Sequence, residues 1–147
     1  LQGLRHQRIS SRLTRVLERS APAVVEVLRA INVRLAVDRI VIPDIAALTT
    51  VGSDDLVVPA AEVLMIVEII SPSTEQIDRL LKPALAAEAG VPYFWLVEPE
   101  APTVTVYELD SGSYRQVSAA TEDELLTVTE PFQVEFRPAE LLAARRS

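Results

Sequence analysis

The sequence predicts an α/β fold in which a mixed β-sheet is flanked by helices. Three stretches predict it: an amphipathic helix near the start, an apolar strand followed by a helix and a second strong strand, and a β-hairpin near the end. A strand, helix, strand step needs a crossover connection that leaves its strands parallel, whereas a hairpin leaves its strands antiparallel. The sheet is therefore expected to be mixed.

The first element is a helix from about Leu4 to Arg19. Because each helical residue turns by about 100°, His6 falls on an apolar face. The opposite face carries a row of arginines: Arg5, Arg8, Arg12, Arg15 and Arg19. Such a row is usually a solvated face, and contact with phosphates is the alternative. A histidine on the inner face is more often a packing residue than a ligand, so His6 is a supporting candidate.

Three β-rich runs follow, over residues 23–31, 32–40 and 40–50, and their close spacing predicts an antiparallel meander. Residues 51–60, VGSDDLVVPA, combine glycine, proline and paired aspartates, which predicts a loop that can hang over a site. The next run, AEVLMIVEII, is apolar at all but its two glutamate positions. It predicts a central strand that is covered on both sides.

The stretch SPSTEQIDRLLKPALAAEAG, residues 71–90, predicts a helix with start and stop signals at its two ends. Ser73 or Thr74 can cap its start, with Gln76 in capping-box spacing, and Gly90 can end it. Pro83 removes a backbone donor and predicts a kink or break just before it. Beyond this helix we expect the strand VPYFWLVEP, a hairpin closed by DSGS, the short strand EPFQVEF and a short C-terminal helix.

Length and composition narrow the possible classes of protein and the kinds of site it can carry. The 147 residues are expected to form a single domain over 1–147, and a chain that opens with Leu1 predicts a fragment whose N-terminal segment is missing. No apolar segment approaches a membrane span, which predicts a cytoplasmic protein without a membrane partner. The absence of cysteine excludes thiolate metal sites, and the net charge of −7 weighs against a broad basic surface for duplex nucleic acid.

Asp44, Glu68 and Lys82 stand out by their context. Asp44 follows a proline inside an apolar run, Glu68 interrupts the most hydrophobic strand, and Lys82 is the only lysine in the chain. Buried carboxylates on adjacent strands would need a cation between them, and Mg²⁺ prefers oxygen ligands completed by water and phosphate. A nearby ammonium could assist phosphodiester hydrolysis. The alternative is that Glu68 reaches solvent, Asp44 caps a turn and Lys82 pairs with Asp78.

Three pieces of the chain resemble the Uma family of restriction-endonuclease-like proteins, in the PD-(D/E)xK superfamily: IVIPDIAAL, IVEIISPSTEQIDRLLKPALAAEAGVPYFWLVEPE and TVTVYELDSGSYR. The resemblance implies a restriction-endonuclease-like mixed sheet flanked by helices, with a C-terminal β-hairpin. It places the motif aspartate at Asp44 and the motif glutamate at Glu68. The usual superfamily lysine would fall on Ile70, and Lys82 on the following helix corresponds to it in this family.

The same resemblance suggests supporting roles for His6, Ser71, Ser73 and Asp78. The chain departs from the family pattern in two ways: Ala86 stands where a tyrosine is common, and the family's N-terminal segment with an acidic residue ahead of the first helix is missing. We therefore expect a nuclease dependent on Mg²⁺ or Mn²⁺, with metal ligands Asp44 and Glu68 and with Lys82 catalytic. DNA is the expected substrate and a homodimer the expected assembly.

Two alternatives stay open at this point. One is a weak or inactive nuclease fold that serves as a binding or assembly module, with a sheet edge and the VPYFWLVEP segment used for dimerisation. The other is cleavage of a small nucleotide or of a nucleic-acid end, which needs less basic surface than duplex binding.

Overall fold

The structure, a computed structural model, describes residues 3–71 and 77–143, and for residues 77 and 78 it describes the backbone alone. Helix α1 spans Leu4–Ser20 and confirms the predicted first helix. Its inner face is buried through His6, Ile9, Ser10, Leu13, Thr14 and Leu17. The sequence of α1 is amphipathic, so burial of this one face is what holds the helix on the sheet. Among the described residues, no helix has the length and apolar character needed to cross a membrane.

Six strands of the described chain form the main sheet, in the order β1, β4, β6, β7, β8, β9. Their bounds are Glu26–Arg29 for β1, Ile45–Leu48 for β4, Val63–Ile69 for β6, Tyr93–Glu98 for β7, Thr103–Asp110 for β8 and Ser113–Thr121 for β9. Strands β6 and β7 are parallel, and the other neighbours are antiparallel. The predicted mixed sheet is confirmed.

The predicted antiparallel meander is wrong. Strand β1 pairs directly with β4, whereas β2 (Val33–Ala36) and β3 (Arg39–Val41) leave the main sheet and form a hairpin. A short strand, β5 (Val58–Pro59), lies within the segment expected to be a loop and pairs with β2 in parallel. The chain leaves β1 at Ala30, whose φ is 53°, and the Ala30 N–H donates to the carbonyl of Asp44. Strand periodicity does not encode which strands pair, so this insertion was not visible in the sequence.

Strand β6 is covered on both faces, as predicted. One face, with Met65 and Val67, belongs to the core that α1 closes, and the other, with Ile66 and Ile70, faces the helix that follows β6. Its parallel neighbour β7 is equally buried, with Trp95 0% and Phe94 1% exposed. The middle of the sheet therefore offers no surface, and the proposed use of VPYFWLVEP for dimerisation is wrong for this segment.

The connection from β6 to β7 carries a π-helical turn, Ile77–Leu81, that passes into helix α2, Lys82–Glu88. Pro83 lies in the first turn of α2, where a missing N–H costs little. The expected irregularity beside Lys82 is confirmed by this change from π to α geometry. Gly90 has a φ of 85° and ends the helix in the left-handed conformation that glycine favours. The proposed capping residues Ser73, Thr74 and Gln76 lie outside the described residues.

The predicted hairpin is formed by β8 and β9, which turn at Ser111 and Gly112. Both turn residues have positive φ, 53° and 88°, as the tight two-residue turn requires. A further pair, β10 (Leu126–Val128) and β11 (Val134–Phe136), forms a two-stranded sheet of which only the second strand was expected. In place of a C-terminal α-helix, the described chain has a 3₁₀-helix at Pro138–Leu141.

Candidate active site

Asp44 lies in a bend immediately before β4, and not inside a strand as the sequence suggested. Pro43 precedes it and has no N–H to give to a sheet, so the chain joins β4 only at Ile45. The carboxylate still reaches the sheet, because Asp44 Oδ2 accepts a hydrogen bond from the backbone N–H of Ile69 at 2.8 Å. Asp44 is thereby held against the C-terminal end of β6.

His6 contacts the other oxygen of the same carboxylate. Its Nε2 lies 3.3 Å from Asp44 Oδ1, and the two side chains are 9% and 12% exposed. Within the described part of the chain, the buried Nδ1 of His6 has no hydrogen-bond partner. Placement in the first turn of α1 carries the imidazole over the end of the sheet, so His6 fixes the orientation of Asp44.

Glu68 is the next-to-last residue of β6, and its side chain is 4% exposed. The interpretation in which Glu68 reaches solvent is therefore wrong. Lys82 Nζ donates to Glu68 Oε2 at 3.1 Å, and the lysine side chain keeps 29% of its surface exposed. A buried carboxylate needs such a partner because removal from water disfavours its charged form. Lys82, as the first residue of α2, reaches back to supply it.

The two pairs meet on consecutive residues of one strand. Glu68 pairs with Lys82, and Asp44 pairs with the backbone of Ile69, whose nitrogen is bonded to the carbonyl carbon of Glu68. That covalent link puts Asp44 Oδ2 within about 4 Å of the Glu68 backbone. The pairs approach β6 from its two sides, because α1 packs on one face of the sheet and α2 packs on the other.

A third charged pair, missed in the sequence, lies beside them. Arg79, in the π-helical turn, forms a close ion pair with Glu98, the last residue of β7. Arg5 of α1 donates to the carbonyl oxygens of Pro99 and Glu100, at 2.9 and 3.3 Å. The sequence did contain a signal for Arg79 as a site residue, since it precedes Lys82 by three residues on one helical stretch. The spacing could not show that the partner of Arg79 is Glu98 on β7.

The remaining supporting candidates stay predictions. Ser71 follows β6 and is half-buried. Ser73 lies outside the described residues. Asp78 belongs to the π-helical turn, where the structure describes only its backbone. Ala86, at the position where a tyrosine is common in the family, is fully buried.

The arginine face of α1 is partly structural. Arg12 donates to the carbonyl oxygens of Leu141 and Ala143 at 3.1 and 2.6 Å, and Arg15 donates to Ser11. Arg12 and Arg5 thus fix the helix to neighbouring segments, whereas the Arg15–Ser11 contact lies within α1. Several arginines of α1 thus already hold hydrogen bonds within the protein, so the helix does not present a continuous row of guanidinium groups for phosphate binding.

A metal ion at this site would be held by oxygen. In the part of the chain that the structure describes, no group of three or more acidic, histidine or cysteine side chains could enclose a metal. Mg²⁺ does not require such a cage, since it is commonly bound through one or two carboxylates while keeping several waters. Asp44 and Glu68 are two carboxylates near the C-terminal end of β6, so the chemistry of the residues present fits the ion.

Residues 1–144 match the Uma2 family, whose description is "Putative restriction endonuclease". The chain belongs to the Uma2 family. This confirms the resemblance drawn from the sequence, and it covers nearly the whole chain.

The fold agrees with this assignment. A crystal structure described as that of a putative nuclease belonging to DUF820, from Anabaena variabilis ATCC 29413, superposes with a TM-score of 0.71 at 18% identity. The match covers 96% of this chain and 81% of that one. The predicted restriction-endonuclease-like fold is thus confirmed for this Uma2 protein. No curated protein matches the sequence. Family and fold together indicate a restriction-endonuclease-like nuclease.

Proposed function

We propose that this Uma2 protein is a Mg²⁺-dependent nuclease that hydrolyses phosphodiester bonds in DNA, with Asp44 and Glu68 as metal ligands and Lys82 as a catalytic residue. One observation carries the proposal: Asp44 is bonded to the backbone of the residue next to Glu68, while the buried Glu68 carboxylate is held by Lys82. Restriction-endonuclease-like proteins generally use a divalent metal, and the nuclease family points to nucleic acid as substrate.

When bound, a divalent ion would supply Lewis-acid chemistry, lowering the pKa of a water molecule and offsetting charge that develops on the phosphate. The protein would position the ion by holding its carboxylate ligands in fixed orientations. The Ile69 N–H and His6 Nε2 occupy one oxygen each of Asp44, which locks the rotamer of that carboxylate. A carboxylate oxygen carries two lone pairs, so an oxygen that accepts a hydrogen bond can also coordinate a cation.

Lys82 suits a role at the reacting phosphate. Its Nζ already touches Glu68 Oε2, yet about a third of the side chain remains exposed. The ammonium has three donors, so it can hold Glu68 with one and contact a water or a phosphate oxygen with another. As a compact point charge, it stabilises negative charge that develops in the transition state.

The test separates metal binding from cleavage. Mg²⁺ and Mn²⁺ are titrated into the protein by calorimetry and thermal unfolding, and cleavage is assayed on single- and double-stranded DNA and RNA. Glu68→Gln and Asp44→Asn should lose the metal-dependent rise in Tm, and Lys82→Met should keep it while losing cleavage by about 100-fold or more. The control Glu135→Gln changes an exposed glutamate of β11 and should behave as wild type. Unchanged cleavage in Glu68→Gln and Lys82→Met would refute the assignment.

A second candidate function is a binding or dimeric assembly module, and exposed apolar side chains of the β2–β3 hairpin favour it. Val37 is 93% exposed, Ile40 45% and Ile42 60%. Strand β3 is also at the edge of its sheet, with backbone groups available for pairing. A homodimer formed here should dissociate in a Val37→Asp, Ile40→Lys double variant, as measured by light scattering after gel filtration. An unchanged mass would exclude this hairpin from the assembly.

A further inference from the structure

We propose that Arg79, with Glu98 as its displaceable counter-ion, forms a subsite for a second phosphate next to the scissile one. The inference rests on the proposed nuclease function and deepens it, because it names the substrate class. That class is a polynucleotide strand that extends at least one phosphate beyond the cleaved bond, and not a mononucleotide.

The position of the Arg79 pair follows from the sheet. Glu68 and Leu96 are partners in the parallel ladder of β6 and β7, and Glu98 lies two residues further along β7. With strands about 4.8 Å apart and a rise of about 3.3 Å per residue, the Cα atoms of Glu68 and Glu98 are about 8 Å apart. Both glutamates lie toward the C-terminal ends of their strands, so the second pair borders the site on the side of β7.

The cations of the two pairs come from one helical stretch. Arg79 belongs to the π-helical turn and Lys82 opens α2, three residues later. Lys82 reaches β6 and Arg79 reaches β7, so their charges are spread along the ends of two adjacent strands. Single π turns within helices occur frequently at functional sites, which agrees with this placement.

The chemistry favours exchange of Glu98 for a phosphate. The two side chains are 38% and 37% exposed, and an ion pair between exposed groups contributes little to stability. A phosphate offers the same planar guanidinium two acceptor oxygens and a full negative charge. A phosphate can therefore take the place of the carboxylate at small cost.

The backbone that follows Glu98 at the end of β7 is held in place. Arg5 donates to the carbonyl oxygens of the two residues that follow Glu98, which ties the end of β7 to the first turn of α1. His6, next to Arg5, contacts Asp44. The phosphate subsite and the candidate metal ligand are thus positioned by neighbouring residues of one helix, so their spacing is set by the fold.

The experiment measures binding without cleavage. Fluorescence anisotropy follows a labelled twelve-nucleotide oligothymidylate in Ca²⁺ and, separately, in EDTA, with a labelled mononucleotide as the short ligand. Arg79→Gln should weaken oligonucleotide binding about tenfold. It should also reduce the slope of log K against log salt by about 0.7, the value for one lost phosphate contact on a single strand. Mononucleotide binding should change less than twofold.

Glu98→Gln provides the decisive comparison, because it removes the competing carboxylate and should tighten oligonucleotide binding by about threefold. If the Arg79–Glu98 pair is purely structural, Arg79→Gln and Glu98→Gln should change the oligonucleotide affinity in the same direction. Arg79→Lys keeps the charge and should retain the salt slope while losing part of the affinity. The matched control is the exposed Arg115–Asp110 pair on the hairpin, where Arg115→Gln should change nothing.

The outcomes are distinct from those of the nuclease test. Equal losses in Arg79→Gln and Glu98→Gln, an unchanged salt slope, or no oligonucleotide binding by the wild type would each overturn the subsite. Opposite effects of the two variants on oligonucleotide binding, found together with unchanged cleavage in Glu68→Gln and Lys82→Met, would keep the subsite and refute the proposed function.

Discussion

Asp44 and Ile69 are joined by a hydrogen bond of 2.8 Å, from the Ile69 N–H to the Asp44 carboxylate, across 25 positions of sequence. The bond ties the bend before β4 to the end of β6, and it sets a charged oxygen beside the backbone of Glu68. This contact turns a carboxylate that precedes an apolar strand into part of a site.

Replacement of Asp44 should separate its structural role from its chemical one. Asp44→Ala leaves the Ile69 N–H and His6 Nε2 without their acceptor and should lower the free energy of unfolding by about 2–4 kcal/mol. Asp44→Asn keeps an acceptor oxygen for one of these two donors and should cost about half as much, about 1–2 kcal/mol. Urea unfolding measures both. Asp38→Ala, in an exposed turn, is the control, and an equal loss in Asp44→Asn and Asp44→Ala would show that charge, and not the hydrogen bonds, holds the bend.

The Glu68–Lys82 pair should be asymmetric in its contribution to stability. Lys82→Met leaves a buried carboxylate without its cation and should destabilise the fold by about 2 kcal/mol, reduced from the fully buried case because Lys82 is partly exposed. Glu68→Gln removes the buried charge and leaves a lysine that is 29% exposed, so stability should fall by less than about 1 kcal/mol or rise.

A double-mutant cycle checks this pair. The double variant Glu68→Gln, Lys82→Met should be more stable than Lys82→Met alone, because no buried charge is left. Additive losses in the cycle would mean that the two side chains do not interact in solution.

Tyr114 should make stability fall at alkaline pH. Burial raises the pKa of its phenol, and the hydroxyl donates to the carbonyl of Val91 at 2.8 Å. The folded protein thus holds this proton more tightly than the unfolded chain, so the contribution is complete below about pH 10 and is lost as pH rises further. The loss is at most about 1.4 kcal/mol per pH unit, and less because the ring is partly exposed.

Tyr114→Phe removes that proton and should flatten the fall, at a cost of about 1 kcal/mol at pH 7 from the lost hydrogen bond. Denaturant unfolding between pH 7 and 11 measures both effects. Tyr107→Phe, on the neighbouring strand, leaves Tyr114 in place and should keep the wild-type pH dependence. A Tyr114→Phe curve parallel to that of the wild type would contradict the assignment.

Gly112 should be sensitive to substitution for a purely conformational reason. Its φ is 88°, and a Cβ built there meets nothing within 4 Å. Gly112→Ala should therefore cost about 1–2 kcal/mol from the left-handed backbone alone. Gly3→Ala is the matched control, since Gly3 has a φ of −74° and similar open space. Thermal unfolding of the two variants distinguishes conformational strain from a steric clash.

Local features of this protein were predictable because local rules produce them. Helix α1 follows from a repeating apolar face, β6 from its apolar run, and the β8–β9 turn from the pair Ser111–Gly112. The irregular start of α2 follows from Pro83. Each of these signals involves residues within about one or two turns of one another, so no partner elsewhere in the chain had to be known.

Pairing was not predictable in the same way. The hairpin of β2 and β3 is inserted between two strands that pair with each other, and alternation of apolar residues is the same whichever strand is the neighbour. For the same reason, Arg79 gave no sign of Glu98, which lies 19 positions away on a different element.

By itself, the sequence determined that this protein has an outer helix, a doubly covered central strand and a closing hairpin, and that Asp44, Glu68 and Lys82 were its unusual charges. Only the tertiary structure decided what those charges touch. Lys82 meets Glu68 across 14 positions, because parallel β6 and β7 force a helical crossover back over the strand end. Asp44 meets Ile69 across 25 positions, because antiparallel pairing places the start of β4 beside the end of β6. Contacts of that kind depend on chain direction and packing, which residue types and their spacing do not specify.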